Sequence, residues 1–276
     1  MRDLKKYGKF AIVTGASSGI GAEFARQIAA KGVGVVLVAR RVEKLEALAG
    51  ELRTVHNADV VLLPLDLTAP GAVAELVERT AGLDVGMIVA SAGVVTAGAF
   101  LEQELTAELE LIGLNLSVPV QLAHAFGLRF MKRGRGALVL LSSSVAFAPV
   151  PFTANYAAVK AYVASFGQAL AFELRRTGVD VLTVAPGPTR TEGVETTEGI
   201  DFGKLPLPMM SPERVVRTSL RALGRKALVI PGGINQFSDA LGKYTTPRRV
   251  QTAMFGRLVN RALTAKPGEF TAARPR

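Results

Sequence analysis

Residues 14–29 read TGASSGIGAEFARQIA and contain three glycines, at 15, 19 and 21. The apolar run KFAIVT (9–14) leads into them and predicts a buried strand, and the residues after them predict a helix. Gly15 would permit the tight turn between the two, and Gly19 and Gly21 would leave room for a pyrophosphate at the backbone. The helix N-terminus offers free N–H groups to such an anion. The stretch therefore predicts a dinucleotide-binding site.

Short apolar runs alternate with longer amphipathic segments along the rest of the chain. Further strands are predicted at 34–39, 59–64, 86–91, 137–142, 179–185 and 227–233, with helices between them that include roughly 103–132 and 153–176. Strands this apolar are buried on both faces, which is typical of a parallel sheet covered by helices. The pattern predicts one doubly wound α/β domain with a seven-stranded parallel sheet and helices on both faces.

The predicted domain covers residues 1–234, and a basic helical extension at 235–276 is expected to be part of it. The segment 192–210 is too long for a plain connection and is predicted to be a substrate loop or lid. PRRVQTAMFGRLVNRAL (247–263) predicts an amphipathic helix. Such a helix could pack on the domain or on a second subunit, cover the substrate pocket, or lie on an anionic membrane surface.

The composition excludes several kinds of chemistry. The chain has 276 residues, 49% of them hydrophobic and none of them cysteine, which indicates a globular protein without disulfides, thiolate zinc sites or cysteine catalysis. Its two histidines are far apart, so no metal site is predicted. The net charge is +10, and the segment 204–276 holds 14 Lys+Arg against 3 Asp+Glu. This asymmetry suggests a local anionic partner, although no aromatic platform accompanies it and nucleic acid is not expected. The start of the chain lacks an apolar signal core, and we expect a cytoplasmic protein, with peripheral contact of 247–263 with a membrane as the alternative.

The second predicted strand ends in VVLVARR, which places Arg40 and Arg41 where dinucleotide-binding folds carry an acidic residue for the adenosine ribose. No carboxylate is present there to reject a phosphate. A guanidinium grips a phosphate through two parallel hydrogen bonds, so the pair predicts NADP(H) as the cofactor.

The stretch SSSVAFAPVPFTANYAAVK (142–160) carries the candidate chemistry. Tyr156 and Lys160 are four residues apart and share one face of a helix, where an ammonium would stabilise the phenolate and lower the pKa of Tyr156. A serine hydroxyl would hold the substrate oxygen as charge develops on it. Ser142, Ser143 and Ser144 all lie at the carboxyl end of the fifth predicted strand, and composition does not choose among them.

The motif TGxxxGxG, followed about 140 residues later by YxxxK, resembles the short-chain dehydrogenase/reductase superfamily over roughly residues 8–232. The resemblance implies a Rossmann domain and hydride transfer between NADP(H) and a ketone or secondary alcohol, with Tyr156 as proton donor. The family's serine precedes the tyrosine by thirteen positions, which selects Ser143. Asn115 in LNLSVPVQLAHAF resembles the family's helix asparagine, which either holds a water that passes protons to Lys160 or ties a helix together as a buried amide.

The resemblance also implies the cofactor contacts. Asp66-Leu67 resembles the pair at the adenine ring, and PGPTRT (186–191) resembles the loop at the nicotinamide, with Thr191 at the carboxamide. Where the family commonly has Asn-Asn-Ala-Gly, this chain has the sequence of residues 90–93, Ala-Ser-Ala-Gly, so two amides that tether the sheet are lost. The implied cofactor-binding set is Gly15, Ser17, Ser18, Gly19, Ile20, Gly21, Arg40, Arg41, Asp66, Leu67, Ala90, Ser91, Ala92, Gly93, Tyr156, Lys160, Pro186, Gly187, Thr189 and Thr191.

The resemblance leaves the substrate open. The loop at 192–210 and the basic tail resemble those of family members that act on 3-oxoacyl, steroid-like or general ketone substrates. The alternative to a general ketone reductase is a 3-oxoacyl-thioester or hydroxysteroid-type reductase at a membrane surface. Family members commonly form homodimers or homotetramers, and we expect the same here. The rival prediction is a non-catalytic NADP(H)-binding sensor or scaffold, which the two lost amides favour and the residues Ser143, Tyr156 and Lys160 oppose.

Overall fold

The fold is built on one seven-stranded sheet in which all strands run parallel, as the sequence predicted. The computed structural model describes residues 3–205, 208–232 and 247–264. The strands lie in the order β3-β2-β1-β4-β5-β6-β7. They are β1 (Phe10–Thr14), β2 (Gly34–Ala39), β3 (Val60–Pro64), β4 (Val85–Ala90), β5 (Gly136–Leu141), β6 (Val179–Val184) and β7 (Leu228–Val229).

Helices connect the strands and cover both faces of the sheet. They are α1 (Gly19–Ala29), α2 (Val42–His56), α3 (Ala72–Arg79), α4 (Leu105–Ile112), α5 (Val118–Lys132), α6 (Ala154–Leu174), α7 (Glu192–Glu195), α8 (Pro212–Ala222) and α9 (Arg248–Ala262). The helical region predicted at 103–132 is present, but a π-helix at Gly113–Ser117 joins α4 to α5. By length and composition the run Leu105–Lys132 could cross a membrane; in the fold, α5 packs against the sheet.

Two apolar clusters lie on the two faces of the sheet. One contains side chains of α1, α2 and α8, among them the fully buried Phe24 and Leu45. The other contains side chains of α3, α5 and α6, among them the buried Leu76 and Phe126. Neighbouring residues of a strand point to opposite faces, so both clusters draw on the same strands. This explains why the strands are apolar without alternation.

The seventh strand is shorter than predicted. The sequence indicated 227–233, but β7 is only Leu228–Val229 and pairs with Thr183 and Val184 of β6. Pro231 follows closely and has no N–H to continue a ladder. Residue 233 of this prediction, residues 206–207 of the predicted loop, and residues 235–246 and 265–276 of the predicted extension lie outside the described residues.

The amphipathic helix predicted at 247–263 is present as α9 and packs on the domain. Its buried residues Val259 and Ala262 belong to a third apolar cluster. The other buried members of that cluster are Ala97, Val150, Ala157 and Ile200. The opposite face of α9 exposes Val250 and Met254 beside several arginines. Contact of that face with an anionic membrane stays a prediction.

Candidate active site

The glycine-rich turn lies where the sheet reverses its strand order. Strands β1 and β4 are neighbours, but the chain leaves them toward opposite edges, and ligands of open α/β sheets bind in the crevice at such a point. Gly15 has φ +67°, and a Cβ on it would lie 2.9 Å from the Cα of Ala92. The turn after β1 therefore packs directly on the segment after β4.

Gly21 has a structural role besides the one predicted. A Cβ on Gly21 would lie 2.2 Å from the carbonyl oxygen of Gly15. The missing side chain thus lets α1 approach the turn, while room for a pyrophosphate at Gly21 stays a prediction. Ile20 packs partly buried against the apolar cluster beside α1.

Thr14 tethers β1 to the segment after β4, where the two amides of the family pattern are missing. Its hydroxyl oxygen accepts hydrogen bonds from the backbone N–H groups of Ser91 and Ala92, each at 3.1 Å, and it donates to the carbonyl of Val89 at 3.3 Å. One buried threonine on β1 therefore joins β1 to the segment that Ala90 opens. Gly93 ends that segment, and a Cβ there would lie 2.7 Å from Oδ1 of Asn115.

Arg40 and Arg41 point to different neighbours. Nη2 of Arg41 donates to Oγ of Ser17 and Oγ of Ser18, both at 3.0 Å, so this guanidinium lies on the glycine-rich turn. Arg40 is 68% exposed, and its nearest carboxylate is Asp66 at 4.0 Å. Both cations thus stand beside the predicted adenosine end of the cofactor.

The adenine-side pair is ordered by a local turn. Oδ1 of Asp66 accepts hydrogen bonds from the backbone N–H and the hydroxyl of Thr68 at 3.0 and 2.7 Å. These bonds, with a smaller contribution from Arg40, lower the pKa of Asp66 below its usual value. Leu67 is buried next to it.

The three serines after β5 separate into different roles. Ser142 is buried, and its hydroxyl donates to the carbonyl of Lys160 at 2.7 Å, which ties the strand end to α6. The Ser143 hydroxyl hydrogen-bonds the Tyr156 hydroxyl. The backbone N–H of Ser144 donates to the carbonyl of Pro186 at 2.9 Å. Of the three, Ser143 is the one at Tyr156, in agreement with the prediction.

Tyr156 and Lys160 lie on one face of α6, as their spacing predicted. Nζ of Lys160 lies 5.5 Å from the centroid of the Tyr156 ring and donates to the carbonyl of Leu141 at 3.0 Å. The lysine is buried at 6% exposure. A Cβ on Gly93 would lie 3.7 Å from the same Nζ, so the lysine faces the segment after β4 as well as the tyrosine.

The expected lowering of the Tyr156 pKa is not found in this arrangement. Burial raises the pKa of Tyr156 to about 12, and the hydrogen bond with Ser143 offsets only part of the effect. Burial also lowers the pKa of Lys160 to about 8. Desolvation penalises the charged form of each group, the phenolate of Tyr156 and the ammonium of Lys160. At neutral pH the tyrosine is therefore protonated, which is the form that donates a proton.

Asn115 is the central residue of the π-helix and is fully buried. Its Nδ2 donates to the carbonyl of Val94 at 2.7 Å, and its Oδ1 accepts from the N–H of Val94 at 2.9 Å. The side-chain amide is thus committed to tying the helix to the segment after β4. This matches the structural alternative left open for Asn115. A water at Asn115 that passes protons to Lys160 stays a prediction.

The segment predicted to face the nicotinamide returns to the glycine-rich turn. The Thr189 hydroxyl donates to the carbonyl of Gly187 at 2.9 Å, which fixes the turn after β6. Thr191 caps α7 by accepting from the N–H of Val194. A Cβ on Gly19 would lie 3.0 Å from the Thr191 side chain. The loop therefore lies on the start of α1.

Three ionic or polar pairs near the site were not predicted. Nδ2 of Asn155 donates to Oε2 of the buried Glu108 at 2.6 Å, and Glu192 pairs with Arg41 and Lys44. Asn155 precedes Tyr156 in the chain and Glu192 follows Thr191, so adjacency to predicted residues was the available signal. The partners of Asn155 and Glu192 are distant in sequence, so the sequence gave no signal for these contacts.

The third apolar cluster, which α9 completes, forms an apolar wall that includes Val145 and Ala157, two residues after Ser143 and one after Tyr156 in the chain. Phe152 packs against it in a left-handed conformation with φ +65°. The carbonyl of Phe152 accepts from the N–H of Gly98 at 2.8 Å, which holds the two loops together. The partly buried side chains on this wall are Val145, Phe152, Phe202, Leu205, Phe255 and Leu263.

Several known proteins are similar to this chain in sequence and fold. Residues 9–199 match the family described as short chain dehydrogenase. A 7beta-hydroxysteroid dehydrogenase of Clostridium sardiniense is 32% identical over 84% of this chain and 88% of its own length. A short-chain dehydrogenase of Sphingobium yanoikuyae, solved in complex with NADPH, is 35% identical with a TM-score of 0.77 and covers 84% of this chain and 91% of its own.

A third similar structure is the bulky-bulky ketone specific alcohol dehydrogenase of Comamonas testosteroni. It is 32% identical, has a TM-score of 0.73, and covers 87% of this chain and 95% of its own. Together with the ordered motifs at the switch point, these matches decide the family. The chain belongs to the short chain dehydrogenase family and is an oxidoreductase.

Proposed function

We propose that the protein uses NADPH to reduce a ketone on a bulky, mostly apolar molecule, and that it oxidises the corresponding secondary alcohol in reverse. The observation that carries this proposal is the contact of Ser143 with Tyr156 on the face of α6 that also bears Lys160. These groups meet at the carboxyl end of β5, where the sheet opens to the cofactor crevice.

Each side chain has a defined task in this reaction. NADPH, when bound, would supply the hydride that the carbonyl carbon accepts. The Ser143 hydroxyl donates a hydrogen bond to the carbonyl oxygen as negative charge develops on it. Tyr156 gives its proton to that oxygen, which completes the alcohol and leaves a phenolate. Buried Lys160 lies close enough to stabilise the phenolate.

The apolar wall supports the choice of a bulky substrate. Phe152, Phe202 and Phe255 contribute to it, and α9 closes it through Val259 and Ala262. A flat hydrocarbon skeleton or two large groups flanking the ketone would bury apolar surface there, at about 25 cal/mol per Å². Relatives named for a hydroxysteroid and for bulky ketones agree with this choice.

The central test replaces Tyr156 by Phe in a ketone assay with NADPH. We expect kcat to fall about a hundredfold or more and NADPH affinity to fall much less, because the proton donor is removed while the other predicted cofactor contacts remain. Tyr162→Phe is the matched control, since Tyr162 lies on the same helix, is 44% exposed and stacks on Phe166. Ketone reduction that survives Tyr156→Phe with little loss would contradict the mechanism. A wild-type protein that binds NADPH and turns over no ketone would support the sensor alternative.

A substrate panel separates the ketone classes. It compares steroid ketones and neutral aryl ketones with a 3-oxoacyl thioester, each with NADPH and NADH. The arginines exposed on α9 favour an anionic acyl carrier as the second candidate. We expect higher kcat/KM for the neutral bulky ketones. Faster reduction of the thioester would make the acyl substrate the better assignment.

A further inference from the structure

Glu192 pairs with Lys44 and with Arg41, the residue predicted to bind the cofactor's 2′-phosphate. It is the first residue of α7, and its carboxylate accepts from Nη1 of Arg41 at 2.7 Å and from Nη2 at 3.2 Å. The ammonium of Lys44 lies 2.5 Å from its Oε1. These contacts bridge the start of α7 to the start of α2.

The donors around this carboxylate form a site suited to a phosphate. Arg41 also holds the hydroxyls of Ser17 and Ser18 on the glycine-rich turn, and Lys44 lies in the first turn of α2. A fork-shaped guanidinium, an ammonium and two hydroxyls beside a helix N-terminus are the groups that recognise a phosphate in proteins. The carboxylate of Glu192 is the anion they hold here.

Glu192 and a phosphate cannot use this site together. The Nη1 and Nη2 atoms that Glu192 engages form the bidentate edge of Arg41. A carboxylate left beside a bound phosphate would repel it, since like charges a few ångströms apart disfavour each other. The two cations also lower the pKa of Glu192 to about 2, so it is ionised throughout the neutral range.

We propose that Glu192 is an internal competitor for the 2′-phosphate of NADP(H), and that it weakens NADP(H) binding relative to NAD(H). The proposal rests on the assignment of Arg41 to the 2′-phosphate. Glu192 must leave Arg41 when the phosphate arrives, and its departure releases the start of α7 from α2. The contact of Thr191 with Gly19 shows that the same segment lies on the glycine-rich turn.

The test uses two ligands that differ only in the phosphate at issue. Adenosine 2′,5′-bisphosphate and 5′-AMP are titrated calorimetrically into the full-length protein and into Glu192→Gln. We expect the variant to bind the bisphosphate about three- to tenfold more tightly, because an exposed ion-pair network contributes modestly, and to change 5′-AMP binding less than about twofold. Glu195→Gln is the control, since it removes an exposed carboxylate from the same short helix and should not change the affinity for either ligand.

The outcomes distinguish this proposal from the cofactor assignment beneath it. Bisphosphate binding that is unchanged or weaker in both Glu192→Gln and Glu192→Ala would overturn the competitor role. Weaker binding would indicate that Glu192 stabilises the bound ligand. Arg41→Ala is measured alongside, and bisphosphate binding that it leaves unchanged would mean that Arg41 is not the phosphate ligand. Thermal unfolding of each variant verifies that it is folded.

Discussion

Lys160 is a buried cation whose charge costs stability. Its pKa is about 8, below the ordinary lysine value of 10.5, because burial disfavours the ammonium. Between these two values the unfolded chain holds a proton that the folded chain has lost. Stability therefore rises as the pH rises through this window.

We expect the free energy of unfolding attributable to Lys160 to increase by about 2 kcal/mol between pH 7.5 and pH 9.5. Lys160→Met should lose this increase, because no ammonium remains to deprotonate. Urea unfolding of the cofactor-free protein at the two pH values measures it, with the exposed Lys132→Met as control. A pH dependence that is the same in the wild type and in Lys160→Met would disprove the depressed pKa.

Arg40 is the second single residue for which we make a prediction. Its guanidinium is 68% exposed and lies 4.0 Å from Asp66, which leaves it able to turn to a phosphate. Arg40→Ala should weaken NADPH binding by about tenfold or more, since charge-assisted bonds are lost, and should affect NADH much less. Cofactor fluorescence titrations measure both. Equal losses for the two cofactors would remove Arg40 from the phosphate site, and Arg79→Ala on α3 serves as the control.

At the scale of elements, α4 holds the beginning of the catalytic helix. Asn155, in the first turn of α6, donates to both the carbonyl and the carboxylate of buried Glu108 on α4, at 3.0 and 2.6 Å. Asn155→Ala should leave that carboxylate without this donor, lower the unfolding free energy by about 1–3 kcal/mol and reduce kcat more than it raises KM.

Glu108→Gln is the matched variant for this contact, because the amide oxygen still accepts from Asn155. We expect it to keep most of the kcat that Asn155→Ala loses, with a similar pH profile to the wild type. If Asn155→Ala destabilises the protein but leaves kcat unchanged, the Glu108–Asn155 contact is purely structural and does not position Tyr156.

The elements also show what the sequence could and could not predict. The strands, the glycine-rich turn and the Tyr156–Lys160 face follow from local periodicity and spacing, which the sequence displays directly. The π-helix around Asn115 does not, because it depends on the contact with Val94, 21 residues away. The hydrogen bonds of the Thr14 hydroxyl could not be predicted either, since its partners lie 75 to 78 residues further along the chain. The direction of the Tyr156 pKa shift depends on burial, which needs the assembled fold.

For the whole molecule, the exposed apolar side chains indicate self-association. Leu109 on α4, Leu128 on α5 and Tyr162 and Phe172 on α6 are 44–67% exposed, and the buried sides of α5 and α6 pack on the same face of the sheet. Exposed apolar side chains are enriched at interfaces, and a homo-oligomer would bury these four symmetrically. We expect a dimer or tetramer assembled through these helices.

The double variant Leu109→Glu/Phe172→Glu should therefore be smaller than the wild type by light scattering after size exclusion. It places charge in an interface that must exclude water. Val55→Glu on α2, which is 65% exposed on the opposite face, is the control and should keep the wild-type mass. A monomeric wild type, or equal dissociation of both variants, would contradict this interface.

The strand order has a consequence for how the protein is made. Each strand from β2 onward joins the outer edge of strands already paired, and none has to insert between two others. The chain can thus build its sheet in the order of its synthesis, β1 to β3 first and then β4 to β7 on the other edge. The only reversal comes when β4 pairs with β1, and that step creates the crevice of the site. A growing chain that stalls before residue 85 would hold the glycine-rich turn without the crevice, and its unpaired edge of β1 would be the surface for a chaperone to cover during translation.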